Sequence, residues 1–95
     1  MLLVLDISNT TIKAGVFRGE SLTAHWRFAT ERKKLADDYG MLLLGLCESV
    51  GVDPEEIDGV SISCVVPPLK AVFEELSRRY LGTDPWWSAR KRRVA

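Results

Sequence analysis

Leu2-Leu3-Val4-Leu5-Asp6-Ile7-Ser8-Asn9-Thr10-Thr11-Ile12-Lys13-Ala14-Gly15-Val16-Phe17 is the stretch on which the fold turns. It opens with an unbroken apolar run, Leu2 to Leu5, which reads as a strand buried on both faces. A second apolar run, Ile12 to Phe17, is stopped by Arg18-Gly19-Glu20. Between them lies a short polar loop that starts with an acid at the end of the first strand. Such a loop suits phosphate. Small hydroxyl and amide side chains leave backbone N–H groups open to phosphate oxygens. Asp6 is placed to hold Mg²⁺ through water, because that ion takes oxygen ligands and keeps much of its hydration shell. Lys13 either adds positive charge there or faces solvent. The competing reading is a plain hairpin turn, since Asn, Thr and an acid after a strand are ordinary turn residues.

Outward from this loop the pattern is regular. Leu22, Ala24, Trp26 and Phe28 alternate with Thr23, His25 and Arg27, which predicts a third strand with one buried face. The first strands then form an antiparallel meander joined at Ser8–Thr11 and Arg18–Glu20. His25, the sole histidine, lies on the polar face and reads as a surface residue rather than a catalytic one. The segment from Thr30 to Lys34 is charged and irregular. Leu35, Tyr39, Leu42, Leu46 and Val50 recur at helical spacing, with Asp37 and Asp38 in the first turn and Gly51 as the stop. Asp53-Pro54-Glu55-Glu56 predicts a capped single turn. Gly59 to Val66 is too apolar for an exposed edge and predicts a further strand. Pro67-Pro68 ends it and starts a helix whose stripe is Leu69, Val72, Phe73, Leu76 and Tyr80, closed by Gly82. Trp86-Trp87 adds a last short strand. The order βββαβα(β) defines an α/β fold with a mixed sheet and helices packed on it.

A chain of 95 residues supports one domain with a modest core. At 46% hydrophobic and 27% charged it is globular in composition, not disordered. No apolar run reaches membrane-span length, and the N-terminus lacks the basic start of a signal peptide. The expectation is a cytoplasmic protein with no membrane partner. Cys47 and Cys64 show no metal or redox spacing and read as small buried thiols. Net charge is zero, but Arg90-Lys91-Arg92-Arg93 holds four of the 13 basic residues, so the remainder is mildly acidic. That remainder carries no footprint for nucleic acid, and four like charges at a terminus read as a solvated end.

The loop also resembles a known motif. Asp6-Ile7-Ser8-Asn9-Thr10, behind a hydrophobic strand, is similar to the Asp-x-Gly-Asn-Thr phosphate motif of the type III pantothenate kinases. These belong to the acetate kinase, sugar kinase, Hsp70 and actin superfamily. Further likenesses follow in order: Ala24-His25-Trp26-Arg27, Leu35-Ala36-Asp37-Asp38-Tyr39-Gly40, Ile57-Asp58-Gly59-Val60, and Ile62-Ser63-Cys64-Val65-Val66-Pro67-Pro68-Leu69. They cover Met1 to about Pro85. The resemblance implies an actin-like (ribonuclease H-like) nucleotide-binding lobe over residues 1–85. It implies ATP-dependent phosphorylation of pantothenate to 4'-phosphopantothenate, with Mg²⁺, a monovalent cation (K⁺ or NH₄⁺) and a homodimer. Asp6, Ile7, Ser8, Asn9, Thr10, Thr11, Ile12 and Lys13 would line the nucleotide phosphates, with Asp6 in the metal-linked role. Asp37 and Asp38 would lie near the cleft, or simply complement the helix dipole.

Two departures stand out. The family usually has Gly where this chain has Ser8, which either weakens nucleotide binding or supplies an extra donor. Its catalytic aspartate lies in a Gly-x-Asp-Arg motif, and this sequence contains no Asp-Arg pair. The expectation is therefore an inactive single lobe, the second lobe being absent. A second reading is a non-catalytic nucleotide- or partner-binding module, including a transcriptional accessory role. After Asp84-Pro85 the family typically continues Leu-Val-Val-Gly-Pro, where this chain has Trp86-Trp87-Ser88-Ala89-Arg90. The codons CTG GTG GTC GGC CCG G encode the former and, read one base later, the latter. Residues 86–95 thus read as a frameshifted basic tail, or as a genuine divergent one.

Overall fold

The computed structural model describes residues 1–87. The strands are β1 (Leu2–Ile7), β2 (Thr11–Arg18), β3 (Ser21–Ala29), β4 (Gly59–Cys64) and β5 (Trp86–Trp87). The helices are α1 (Ala36–Ser49) and α2 (Pro67–Leu81), with a short 3₁₀ turn at Pro54–Glu56. The strands form one sheet in the order β3-β2-β1-β4-β5. β2 runs antiparallel to β1 and β3, while β1, β4 and β5 run parallel. The expected element order and mixed sheet are both present. The expected tail falls, from Ser88 on, outside the described residues.

Chain direction decides which face is covered. The β3–α1–β4 and β4–α2–β5 connections both join parallel strands and both step the same way across the sheet. Right-handed crossovers then place both helices on one face. Leu3, Leu5 and Ile7 of β1, Ile12, Ala14 and Val16 of β2, and Val60, Ile62 and Cys64 of β4 point into that face and are buried. They form one core with Tyr39, Leu43, Cys47, Leu69, Phe73 and Leu76. Leu2, Val4 and Asp6 are only half-buried. The expectation of a first strand buried on both faces is therefore corrected: no described element packs on the second face.

The helices follow their local signals, with one rotation. Leu35 N–H donates to the Asp38 carboxylate (2.9 Å) at the start of α1. Gly51, at φ 77°, ends it, and Val52 N–H turns back to the Cys47 carbonyl (2.9 Å). The buried face of α1 is Ala36, Tyr39, Gly40, Leu43 and Cys47. Of the predicted stripe, Tyr39 lies on that face and Leu42 and Leu46 flank it half-buried, whereas Leu35 is 66% exposed and Val50 50%. Gly40 carries a close approach to α2 that a larger residue could not. A Cβ on Gly40 would sit 2.7 Å from the Tyr80 ring, so the helices meet there because no side chain intervenes. Asp53 accepts from Glu55 N–H (2.9 Å), giving the predicted capped turn. Pro67 and Pro68 open α2, where absent N–H groups cost nothing.

On β3, Ala24, Trp26 and Phe28 face the core as expected, but Leu22 does not. The β2–β3 ladder shifts at Val16/Phe17, which sets Leu22 opposite Phe17. Leu22 then lies over Gly15 on the open face and is 49% exposed.

Burial also sets an alkaline limit. Desolvation pushes the Cys47 thiol above its ordinary 9.0. Desolvation likewise outweighs the other influences on Tyr39 and pushes its phenol above 10.0. For both groups the unfolded chain loses the proton first. Their contribution is complete below the unfolded pKa and is lost as pH rises through it towards the raised folded value. Thermal unfolding should give a level Tm through pH 8 and a two-stage fall between about pH 9 and 11. Cys47→Ala should remove the earlier stage; a Tm that stays level to pH 11 would refute the assignment.

Candidate functional site

The β1–β2 turn is built from its own chain and from the segment after β3. Cα pairing runs Asp6↔Lys13 and Ile7↔Ile12, leaving Ser8, Asn9 and Thr10 as the connection. Ser8 N–H and Ser8 Oγ both donate to the Thr11 carbonyl, at 3.0 and 2.7 Å. Among the described residues positive φ occurs only at Gly19, Gly51 and Gly82. The Ser8 position therefore needs no glycine, and its hydroxyl closes the turn rather than facing outward.

Three contacts grip the turn from the β3–α1 connection. Thr30 N–H donates to the Thr10 carbonyl (3.0 Å), and Thr30 Oγ1 donates to the Ser8 carbonyl (2.8 Å). Arg32 Nη2 donates to Asn9 Oδ1 (2.9 Å). The connection is itself moored to the core. Tyr39 Oη accepts from Glu31 N–H and donates to the Glu31 carbonyl, each at 2.8 Å. Thr30 and Arg32 were not among the residues the sequence singled out. The signal was available: Thr30 follows β3, whose pairing with β2 continues from Thr11↔Ala29 towards Thr10.

The predicted residues divide by side chain. Asn9 and Thr10 are exposed at the tip, and Ser8 and Thr11 are half-buried beside it. Ile7 and Ile12 have no exposed surface, so only their backbones can meet a ligand. Asp6 is half-buried on the open face of the sheet, with Lys13 across the ladder from it. A groove of about 490 Å³ runs along that face, lined among others by Val4, Asp6, Lys13, Phe17, His25 and Arg27. Asp37 accepts from Tyr80 Oη and pairs with Arg79 (3.0 Å), while Asp38 caps α1. These contacts account for both acids as bracing of the helices.

No group of three or more His, Cys, Asp or Glu residues among those described could hold a metal. One carboxylate beside a polar turn still fits Mg²⁺. That ion commonly takes one or two protein carboxylates and completes its shell with water and phosphate oxygens. Of the described helices, none is long and apolar enough to cross a membrane.

A mixed sheet with both helices on one face and a polar hairpin behind an acid places the chain among the actin-like ATPase and sugar kinase folds. The ROK hexokinase from Thermus thermophilus superposes with a TM-score of 0.68 at 15% identity, over 92% of this chain and 34% of that one. A Bacteroides thetaiotaomicron protein with an actin-like ATPase fold gives 0.63 at 14% identity, over 92% of this chain and 32% of that one. The chain belongs to the type III pantothenate kinase family, whose model matches residues 2–94. It is 56% identical over 85 residues to a type III pantothenate kinase of Roseiflexus sp. (strain RS-1), covering 90% of this chain and 33% of the relative. A type III pantothenate kinase of Exiguobacterium sp. is 42% identical over 85 residues, covering 90% of this chain and 34% of the relative. The chain thus spans about a third of the length of the curated relatives it matches.

Proposed function

We propose that this chain supplies the ATP-binding lobe of an enzyme that phosphorylates pantothenate to 4'-phosphopantothenate, the first step of coenzyme A synthesis. One observation supports the reading: within a family match over residues 2–94, the stretch that resembles the family's phosphate motif forms a braced polar turn directly after a strand bearing Asp6 near its end. In this reading the backbone around Asn9, Thr10 and Thr11 faces the phosphates. Ser8 shapes the turn, and Ile7 and Ile12 anchor it in the core. Asp6 would hold Mg²⁺, which would offset phosphate charge as it does in phosphoryl transfer generally. Lys13 stands beside Asp6 as part of the same polar cluster. Pantothenate and the catalytic aspartate belong to a second lobe, outside this sequence. A homodimer, a monovalent cation (K⁺ or NH₄⁺) and a cytoplasmic setting belong to the same proposal.

The test is an NMR titration of the chain with ATP and Mg²⁺. Amides of Asn9 to Thr11 should shift before any others. Affinity should be millimolar, about 4 kcal/mol, because one lobe offers about half of a cleft's contacts against the full cost of association. Asp6→Asn keeps the shape but removes the charge, and should abolish the Mg²⁺ dependence. A folded chain whose turn stays unmoved at high nucleotide would leave a plain hairpin turn.

A further inference from the structure

We infer that Arg32, more than Lys13, is the side chain that meets phosphate at this turn, and that Thr30 and Arg32 hold the turn ready for it. The inference rests on the phosphate-loop reading above and assigns residues within it. Position argues first. Arg32 reaches the tip itself, with Nη2 2.9 Å from Asn9 Oδ1. Lys13 lies two residues into β2 from Thr11, about 7 Å along the strand.

Charge argues the same way. Lys13 is the Cα partner of Asp6 on the same face of the sheet, so a divalent cation held at Asp6 would repel its ammonium. Arg32 is exposed, and the ion pairs among the described residues do not include it. A guanidinium has five donors in a planar fork, so one bond to Asn9 orients it and leaves others for phosphate oxygens. The Asn9 contact fixes the fork before a ligand arrives, which lowers the ordering cost of binding. Thr30 acts through the backbone. Its two bonds hold the Ser8 and Thr10 carbonyls, and so set the direction of the N–H groups between them. Thr30 is a positioning residue; Arg32 is a phosphate ligand.

The experiment titrates the 95-residue chain with Mg²⁺–ATP and, separately, with inorganic tripolyphosphate, observing turn amides and the Arg32 side-chain Nε–H by NMR. In the native chain Nε–H of Arg32 should shift together with the Asn9–Thr11 amides. Arg32→Gln should weaken both ligands about tenfold, as loss of a charged hydrogen bond would, and by more than Lys13→Gln does. Arg32→Lys should recover only part, since the charge returns without the fork. Lys33→Gln removes the same charge one residue away and should change affinity less than about twofold. Thr30→Val should broaden the turn amides without ligand and weaken binding, with the Arg32 shift at saturation retained. If the native turn moves with ligand while Arg32→Gln binds as tightly, or if Lys13→Gln or Lys33→Gln costs as much, the inference fails and the phosphate-loop reading stands. If the native turn does not move at all, both fail together.

Discussion

Tyr39→Ala should lower the free energy of unfolding by about 4 kcal/mol, a cost typical of deleting a fully buried aromatic side chain. Tyr39 has no exposed surface, and its ring packs 4.8 Å from Phe73 and 6.3 Å from Phe28, centroid to centroid. It thereby ties α1 to α2 and to β3. A domain of this size is stable by roughly 5–10 kcal/mol, so one substitution would remove about half of that. Tyr39→Phe separates packing from polarity. It keeps the ring and loses both bonds to Glu31, at a cost of about 1–2 kcal/mol. The two variants should also differ at the turn. Tyr39→Phe frees the connection that carries Thr30 and Arg32, so amide exchange at Ser8 to Thr10 should quicken while the core stays protected. Urea unfolding of the three proteins reads the energies. Equal losses in Tyr39→Ala and Tyr39→Phe would show that the hydroxyl, not the ring, dominates.

The sequence made most of this fold legible because its signals are local. Alternation on β3, the capped turn at Asp53 and the proline-led start of α2 each depend on residues a few positions apart. What it hid depends on tertiary choice. Periodicity placed Tyr39, Leu42 and Leu46 on the stripe of α1, and Tyr39 is buried, but the helix also turns Gly40 inward because α2 approaches closely there. An unbroken apolar run at Leu2 to Leu5 suggests two covered faces. The handedness of the two crossovers covers only one among the described residues. The loop's polarity was readable; its bracing by Thr30 and Arg32 was not, because it crosses more than twenty residues of chain. Ser8 shows the limit of motif reading. The departure from glycine reads as either a handicap or an extra donor; here the turn has no positive φ at Ser8, and its hydroxyl donates within the turn to the Thr11 carbonyl.

The 95-residue chain, supplied with ATP, Mg²⁺ and pantothenate, should form no phosphopantothenate above the uncatalysed background. Phosphoryl transfer asks little covalent chemistry of the protein and depends almost wholly on positioning and charge stabilisation. Holding two reactants in line is worth about 7–11 kcal/mol, and it requires both to be bound across one cleft. In the proposed reading this fold would present one side only: a turn for phosphates, an acid for a metal and a guanidinium at the tip. A positioned base adds about 10²–10⁴ in rate, and the Gly-x-Asp-Arg motif that would supply it does not occur in the sequence. The two deficits together amount to about ten orders of magnitude, far below the reach of any assay. Nucleotide binding should survive in the same preparation, which separates an incomplete site from an unfolded one. The measurement is product formation over a long incubation, with Asp6→Ala as the paired control. Phosphopantothenate that appears with the native chain and vanishes with Asp6→Ala would mean that this lobe assembles a working site by itself or with its own copies.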